Sequence, residues 1–261
     1  MKKVVSIIVL SFNDERVLNA INSIRSSGKN LTDELEIIVI DGGSSLELLE
    51  DIQGILSEND QLHSEPDDGI FDALNKGLSC ASGTYIGWIG SDDAYLPGFT
   101  FDYVIETLEN FDLLICGTIH TKLGKPIRIT PSRFTSPSSI RWGFNNPHFS
   151  TFGRSSLLQE YRFDKNSKFS DIDYFLKICN DKPRLFNSER YSTQMELGGA
   201  SNSNMVNIVK TNTSLISVYN NYHTLPVGAI AVFLKVLSKV VYTLYVNINR
   251  QKFLTLISKG S

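Results

Sequence analysis

Cysteine is scarce in this 261-residue chain, which has only Cys80, Cys116 and Cys179. An odd count without paired spacing excludes a disulfide framework and a cysteine-based zinc site, and it fits a reducing compartment. Excess charge of one sign is also lacking. The formal net charge of −3 gives no basic surface for general nucleic-acid binding. No GxxxxGK[ST] loop occurs, and the Gly42–Gly43 pair lacks the spaced glycines of a dinucleotide fingerprint. A P-loop kinase and a Rossmann dehydrogenase are therefore disfavoured. No internal repeat is evident. The N-terminus has no long apolar run: Val4 to Leu10 is short, β-branched and soon followed by Asn13, Asp14 and Glu15. That segment reads as a buried strand, not a signal peptide.

What is present is a core-forming composition, with 41% hydrophobic and 20% charged residues, enough for one large domain plus appendages. Strands are expected at Val4–Leu10, Glu36–Ile40, Thr84–Ile89 and Leu113–Cys116. Helices are expected at Glu15–Ser26, from Leu46 to Leu56 with Leu46, Leu49, Ile52 and Leu56 inward, at Phe71–Ala81 and at Phe99–Leu108. The alternation implies βαβ units and a mostly parallel sheet flanked by helices. After Gly117, Pro126, Pro131, Pro137 and Pro147 break the pattern into short strands and loops. A short helix follows from Ser156 to Tyr161, then one from Ser170 to Lys177 with Ser170 as its cap. The division read here is a catalytic domain over 1–222, with halves 1–117 and 118–222, and a tail over 223–261.

The tail is apolar from Leu225 to Lys252, with Lys235 and Lys239 on one helix face. Each buried lysine would cost a spanning helix roughly 2.5–3.5 kcal/mol. Three readings stay open: a helix docked on the domain or a second subunit, a helix lying on a membrane surface, and a span.

Two units end a buried strand in acid. EIIVIDGGSS places Asp41 where a parallel strand gives way to a helix, the edge at which open α/β sheets bind ligands. A turn acid or helix cap is the plain alternative. EPDDGIFDALNKGLSCASGTYIGWIGSDDAY ends in Asp92 and Asp93. Adjacent carboxylates at a strand mouth repel and lose hydration, costs that a divalent cation or a substrate offsets. A surface turn is the alternative there. His148 in NNPHFSTF is either a packed histidine or a site residue. Asp171 and Asp173 are two apart and do not face each other on a helix, so one could act as a base while the other caps.

Taken in order, SIIVLSFN, IIVIDGGSS, the EPDDG-to-SDDAY stretch, HFSTF, SDIDYFLKI and LGGAS resemble the family-2 glycosyltransferases of bacterial surface-polysaccharide synthesis, over roughly Val4 to Ser201. The resemblance implies the GT-A fold and an inverting, metal-dependent transfer from a nucleoside-diphosphate sugar, most readily a uridine-linked one, to a glycan or lipid-linked acceptor. It implies Mn2+ or Mg2+ on Asp93, Asp92 near the ribose, and nucleotide contacts from Ser11, Asn13, Asp41, Asp68 (with Asp67 beside it), Asn75 and Lys76. Asp171 would be the catalytic base, with Asp173 as its competitor, and Trp142 and His148 would lie on the acceptor side. The family commonly has Glu-Asp where this chain has Ser170–Asp171. A cytoplasmic enzyme, peripheral at the inner face of the plasma membrane and able to self-associate, is the corresponding expectation, with lipopolysaccharide, capsule and O antigen as the pathways of that type. The other classes weighed are a sugar-phosphate nucleotidyltransferase, which would open with a Gly-rich basic loop where this chain has SFNDERV, and a binding subunit without catalysis.

Overall fold

Seven consecutive buried residues, Val5–Ser11, form β1, and seven more, Leu35–Asp41, form β2. Strands buried on both faces belong inside a parallel sheet covered by helices. The computed structural model describes residues 4–132, 148–167 and 169–196; Trp142 and the 223–261 tail lie outside them. β1 pairs in parallel with β2 and with β4 (Tyr85–Gly90), and β2 pairs in parallel with the edge strand β3 (Gln61–Ser64). The crossovers are α1 (Val17–Ser27), α2 (Leu46–Ile55) and α3 (Ile70–Cys80). Alternation along the strands sorts side chains into two cores. Val5, Ile7, Val9, Ile37 and Val39 pack with α1 and with α4 (Phe101–Leu108). Ile8, Leu10, Ile38, Ile40 and Trp88 pack with α3 and with α6 (Ser170–Asn180).

The expectation of a mostly parallel sheet holds only for this first part. β8 (Thr151–Arg154) slots between β4 and β6 (Leu113–Lys122) and runs antiparallel to both. β6 pairs in parallel with β9 (Leu185–Glu196), while β7 (Lys125–Thr130) and β5 (Asp93–Tyr95) are antiparallel to β6 and β9. Among the described residues this is one nine-stranded mixed sheet, ordered β3-β2-β1-β4-β8-β6-β9-β5 with β7 on β6. The cause is topological: β8 arrives after a long connection and takes the place beside β4 that another βαβ unit would have filled. Position 117 falls inside β6, so the sheet runs through both proposed halves.

Local details differ as well. Leu48 and Ile52 are the buried residues of α2, whereas Leu46 is exposed and Leu49 only half-buried. Ser45 caps that helix by accepting from Leu48 N at 3.4 Å. Ser170 is not a cap. It lies inside α6 after Phe169, and its hydroxyl is buried without a hydrogen-bond partner. The expected Ser156–Tyr161 helix is the short α5, Ser155–Leu158. Among the described residues no helix is long and apolar enough to cross a membrane.

α3 approaches β1 through Gly77, where an added Cβ would stand 2.4 Å from the fully buried Ile8 Cγ2. A β-branched methyl in a closed core cannot swing aside. Gly77→Val should therefore lower stability by about 1–3 kcal/mol through overpacking, outweighing a helix-propensity gain of at most about 1 kcal/mol. Thermal or urea unfolding measures this, and an unchanged midpoint would refute the close approach.

Candidate active site

β1, β2 and β4 end side by side, with Ser11 paired to Asp41 and Leu10 to Gly90, so two strand-to-helix turns and the turn from β4 to β5 open on one edge. The first two turns are tied together. Asn13, in the left-handed region at φ +47°, donates its N–H to Ser44 Oγ at 2.7 Å and accepts from Ser45 N at 3.2 Å. Asp41 is fully buried and accepts from Gly43 N (2.9 Å), Ser44 N (2.8 Å), Ser64 Oγ (2.8 Å) and Ser44 Oγ. Burial opposes its ionisation, but bonds from Ser44, Ser64 and Gly43 outweigh burial and hold the carboxyl below the usual range. What Asp41 visibly does is fix the turn. Beside it, Ser11 Oγ is buried with no partner, while the Phe12 ring is 63% exposed.

The Phe12 ring and the Asp67 carboxylate flank Gly42, whose hypothetical Cβ would lie 3.2 Å and 2.9 Å from them. Asp67 thus faces the turn. Asp68 points outward into an ion pair with Lys165. Asn75 is committed to the backbone of Phe163, donating to its carbonyl and accepting from its N–H, each at 2.9 Å. Lys76 pairs with Glu65 at 2.8 Å and Asp72 at 3.4 Å. Both border a cleft of about 510 Å³ between β3 and α3, which Asp92, Asp93 and Asp171 do not line.

β4 delivers the acidic pair. Asp93 opens β5, opposite Met195 of β9, and is only 4% exposed. Its carboxyl is pushed up to about 8, first by burial and then by the charge of Asp92. Asp92 is also raised, by burial and by the charges of Asp14 and Glu196 against the opposing field of Arg16. Arg16 is held by Asp14 through two 2.8 Å bonds and reaches Asp92 at 4.0 Å; Ser91 Oγ donates to Asp14 at 2.9 Å.

The fit to a divalent cation can be read from Gly90. A Cβ there would stand 3.2 Å from both Asp92 Oδ1 and Asp93 Oδ2, so a glycine leaves open the cradle on which two carboxylates converge. Hard oxygens suit Mg2+ or Mn2+, and a site with one or two carboxylates completes its coordination with water and phosphate oxygens. No cluster of three acid, histidine or cysteine ligands occurs among the described residues.

α6 carries the remaining acids. Asp173 pairs with Lys177 at 2.7 Å. Asp171 is half-buried in the same first turn and makes no ion pair among the described residues. Its charge reaches His148, which accepts from Trp88 Nε1 at 3.0 Å. Beneath lie Trp88, Phe163, Tyr174 and Phe175, with Phe163 stacked on Tyr174 at 4.0 Å. The fold therefore groups Ser11, Asn13, Asp41, Asp92 and Asp93 on one edge and sets Asp171 with His148 on α6 and the turn before β8.

The profile of glycosyl transferase family 2 matches residues 6–167. The chain belongs to that family. It is 36% identical over 93 residues to a PGL/p-HBAD biosynthesis glycosyltransferase of Mycobacterium bovis, covering 34% of this chain and 35% of that protein. It is 35% identical over 108 residues to an uncharacterized glycosyltransferase of Mycobacterium tuberculosis, covering 40% and 39%. The matched stretch thus spans little more than a third of these relatives. Among solved structures, S. aureus TarS 1–349 in complex with UDP-GlcNAc superposes with a TM-score of 0.65 at 16% identity, over 82% of this chain and 65% of that one. The mannosyltransferase PcManGT of Pyrobaculum calidifontis, in complex with GDP-Man and Mn2+, gives 0.61 at 15% identity over 88% and 68%. At such identities the likeness shows the fold alone, a GT-A-like α/β arrangement of a central sheet with flanking helices.

Two residues at the edge escaped the reading of the sequence, Arg16 and Glu196, while Asp67, expected only beside Asp68, is the inward acid of the two. Glu196 closes β9, accepts from Thr121 Oγ1 at 2.6 Å and acts on both Asp92 and Arg16. Its signal was the strand before LGGAS, whose mixed polarity hid it.

Proposed function

We propose that this family-2 member is an inverting glycosyltransferase, moving a sugar from a nucleoside-diphosphate sugar, a uridine-linked one, to a glycan or lipid-linked acceptor in bacterial surface-polysaccharide synthesis. The observation that carries this reading is the pair Asp92–Asp93, two carboxyls raised by burial and converging on the Gly90 cradle. The M. bovis relative's role in PGL/p-HBAD biosynthesis supports a place in glycan assembly. Mn2+ or Mg2+, held by Asp93 with Asp92 beside it towards the ribose, would supply Lewis-acid stabilisation of the leaving diphosphate.

The protein's own residues do the rest. Ser11 Oγ has unused hydrogen-bonding capacity for the nucleotide. Asn13 and Asp41 hold the turn against which the base lies, and the Ser44 hydroxyl on Asp41 is the bond an incoming base N–H would displace. Asp68 stands at the outer rim with Asp67 inside it, and Asn75 and Lys76 shape the wall through Phe163 and Glu65. Asp171 removes the proton of the acceptor hydroxyl. The acceptor oxygen bonds to the anomeric carbon as the carbon–diphosphate bond breaks, its electron pair leaving with the diphosphate. One displacement inverts the centre, with no covalent sugar intermediate.

A nucleotide-sugar screen with Mn2+ tests the reading. Diphosphate release and a product of inverted configuration by NMR are expected. Nucleotide exchange with a triphosphate would point to a nucleotidyltransferase, and no binding at all would end the proposal. Phe12→Ala should weaken nucleoside-diphosphate binding about tenfold by removing an aromatic face for the base, while pyrophosphate binding stays constant. Calorimetry separates the two.

The 223–261 tail is proposed to lie on the inner face of the plasma membrane, its lysines extending towards lipid phosphates. Flotation with anionic liposomes should carry the full chain but not a version ending at His223. Equal behaviour of both would refute it.

A further inference from the structure

The β6–β7 hairpin carries three unfavourable features at its tip, none of which the fold requires. Its two-residue turn is Leu123–Gly124, at φ +50° and +70°. A hairpin turn with both central residues in the left-handed region favours Asn or Asp before Gly, and a leucine there is strained. Leu123 is also 87% exposed, more than any other large apolar side chain among the described residues. Lys122 and Lys125 stand directly opposite each other across the turn. Like charges paired in this way repel. Neither lysine has an ion-pair partner among the described residues.

Protection of a sheet edge explains only part of this. β7 lies on β6 off the main strand order, and it opens with Lys125 and Pro126. Lysine and proline on an edge strand discourage another strand from pairing there, which argues against a second chain adding to the sheet. Leu123 is left without a reason, because asparagine would suit both the turn and the solvent. An apolar tip between two cations complements a layer that is anionic at its surface and apolar beneath, the profile of an anionic bilayer.

The tip is held in place. Glu196 accepts from Thr121 Oγ1, from Leu123 N and from the Gly124 backbone. Thr121 pairs with Glu196, and Met195 pairs with Asp93, so the hairpin leaves the sheet at the end that carries the acidic pair. Ile127, 37% exposed, extends the apolar surface behind the tip.

We propose that the β6–β7 hairpin is a membrane-contacting tip: Leu123 enters the acyl boundary of an anionic phospholipid bilayer, with Ile127 behind it, while Lys122 and Lys125 engage lipid phosphates. Insertion removes the leucine from water, and the phosphates offset the repulsion of the lysine pair. So small an apolar insertion gives a reversible contact, too weak to float a chain without its tail. Its effect is orientation. It turns the Asp92–Asp93 edge towards the layer that would hold the lipid-linked acceptor of the proposed transfer, while the contact itself needs neither that transfer nor the tail.

The probe is a vesicle of phosphatidylcholine with phosphatidylglycerol, mixed with the full chain. Leu123→Trp should shift its emission to the blue on these vesicles and be quenched by bromine on the acyl chains, beyond the response of the wild type. An unshifted, unquenched tryptophan overturns the proposal, whether the chain stays in solution or binds the vesicles by another part. Lys122→Gln with Lys125→Gln should weaken binding to anionic vesicles about 25-fold, about fivefold for each lysine, and leave binding to pure phosphatidylcholine unchanged. Equal loss on both vesicle types overturns the phosphate contact. Leu123→Asn divides a lipid role from a folding role. It should raise the melting temperature, since Asn-Gly suits the turn, and weaken vesicle binding about tenfold. A lowered melting temperature would show that Leu123 serves the fold, and unchanged vesicle binding would remove it from the membrane. Nucleotide-sugar binding in solution should be the same in every variant, so failure of the tip and failure of the transfer reading remain distinguishable.

Discussion

Asp93→Asn should end cation-dependent donor binding and, at the same time, raise the stability of the cation-free protein at alkaline pH. A hard ligand lost beside the diphosphate removes the largest attraction available there, and calorimetry of nucleoside-diphosphate binding with and without Mn2+ should show no difference in the variant. The stability effect follows from linkage. In the folded, cation-free protein Asp93 titrates near 8, pushed there by burial and by Asp92, whereas in the unfolded chain it titrates near the ordinary value of about 4. A raised folded-state pKa means the folded form binds the proton more tightly. Its favourable contribution is complete below about pH 4, declines as the pH rises and is gone above about pH 8. Asparagine does not titrate. The gap between variant and wild type should therefore open from about pH 4 to about pH 8 and stay constant beyond. Thermal melts across that range measure it, and Mn2+ should close the gap by stabilising only the wild type. Retained Mn2+-dependent affinity in the variant would remove Asp93 from the site.

The legible parts of this chain were those where one local rule sufficed. β1 and β2 announced themselves by the apolar stretches Ile7–Leu10 and Ile37–Ile40, and α3 by Leu74 and Leu78 with Gly83 beyond it. Asp92 and Asp93 stood out because a buried run led straight into them. The antiparallel second part did not, because its pairings are non-local. Nothing in LFNSERYSTQME tells that β9 runs between β6 and β5, and so nothing foretold Glu196 near Asp92. β3, four half-polar residues at the sheet edge, carries too short a pattern to read. The choice between Asp67 and Asp68 turned on Lys165, 97 positions from Asp68, which draws it outward. Asn75 looked like a ligand contact because polar residues near an edge often are. Its partner, the Phe163 backbone, lies 88 positions on. In each case the missing information was the identity of a distant neighbour, not the chemistry of the residue itself.

Asp171→Asn should leave donor and cation binding intact while lowering turnover by about 10²–10⁴-fold, the usual worth of a general base. The structure separates the two candidate acids in a way that spacing could not. Asp173 is held by Lys177 at 2.7 Å one helical turn on, an arrangement that keeps its carboxylate occupied. Asp171 has no such pair among the described residues, and its charge reaches His148. An acid that must take a proton from a hydroxyl needs a free oxygen, so the difference in partners supports Asp171 as the proposed base. Asparagine preserves size and a hydrogen-bonding carbonyl but cannot accept the proton, so a loss in kcat with constant nucleotide-sugar KM is the expected split. Asp173→Asn serves as the comparison and should leave turnover close to that of the wild type, since the proposed transfer asks no proton of Asp173. Near-normal turnover in Asp171→Asn together with a collapse in Asp173→Asn would exchange the roles. A product of retained anomeric configuration would sink the single displacement itself, because retention requires two inversions and a nucleophile that neither acid would then have been assigned.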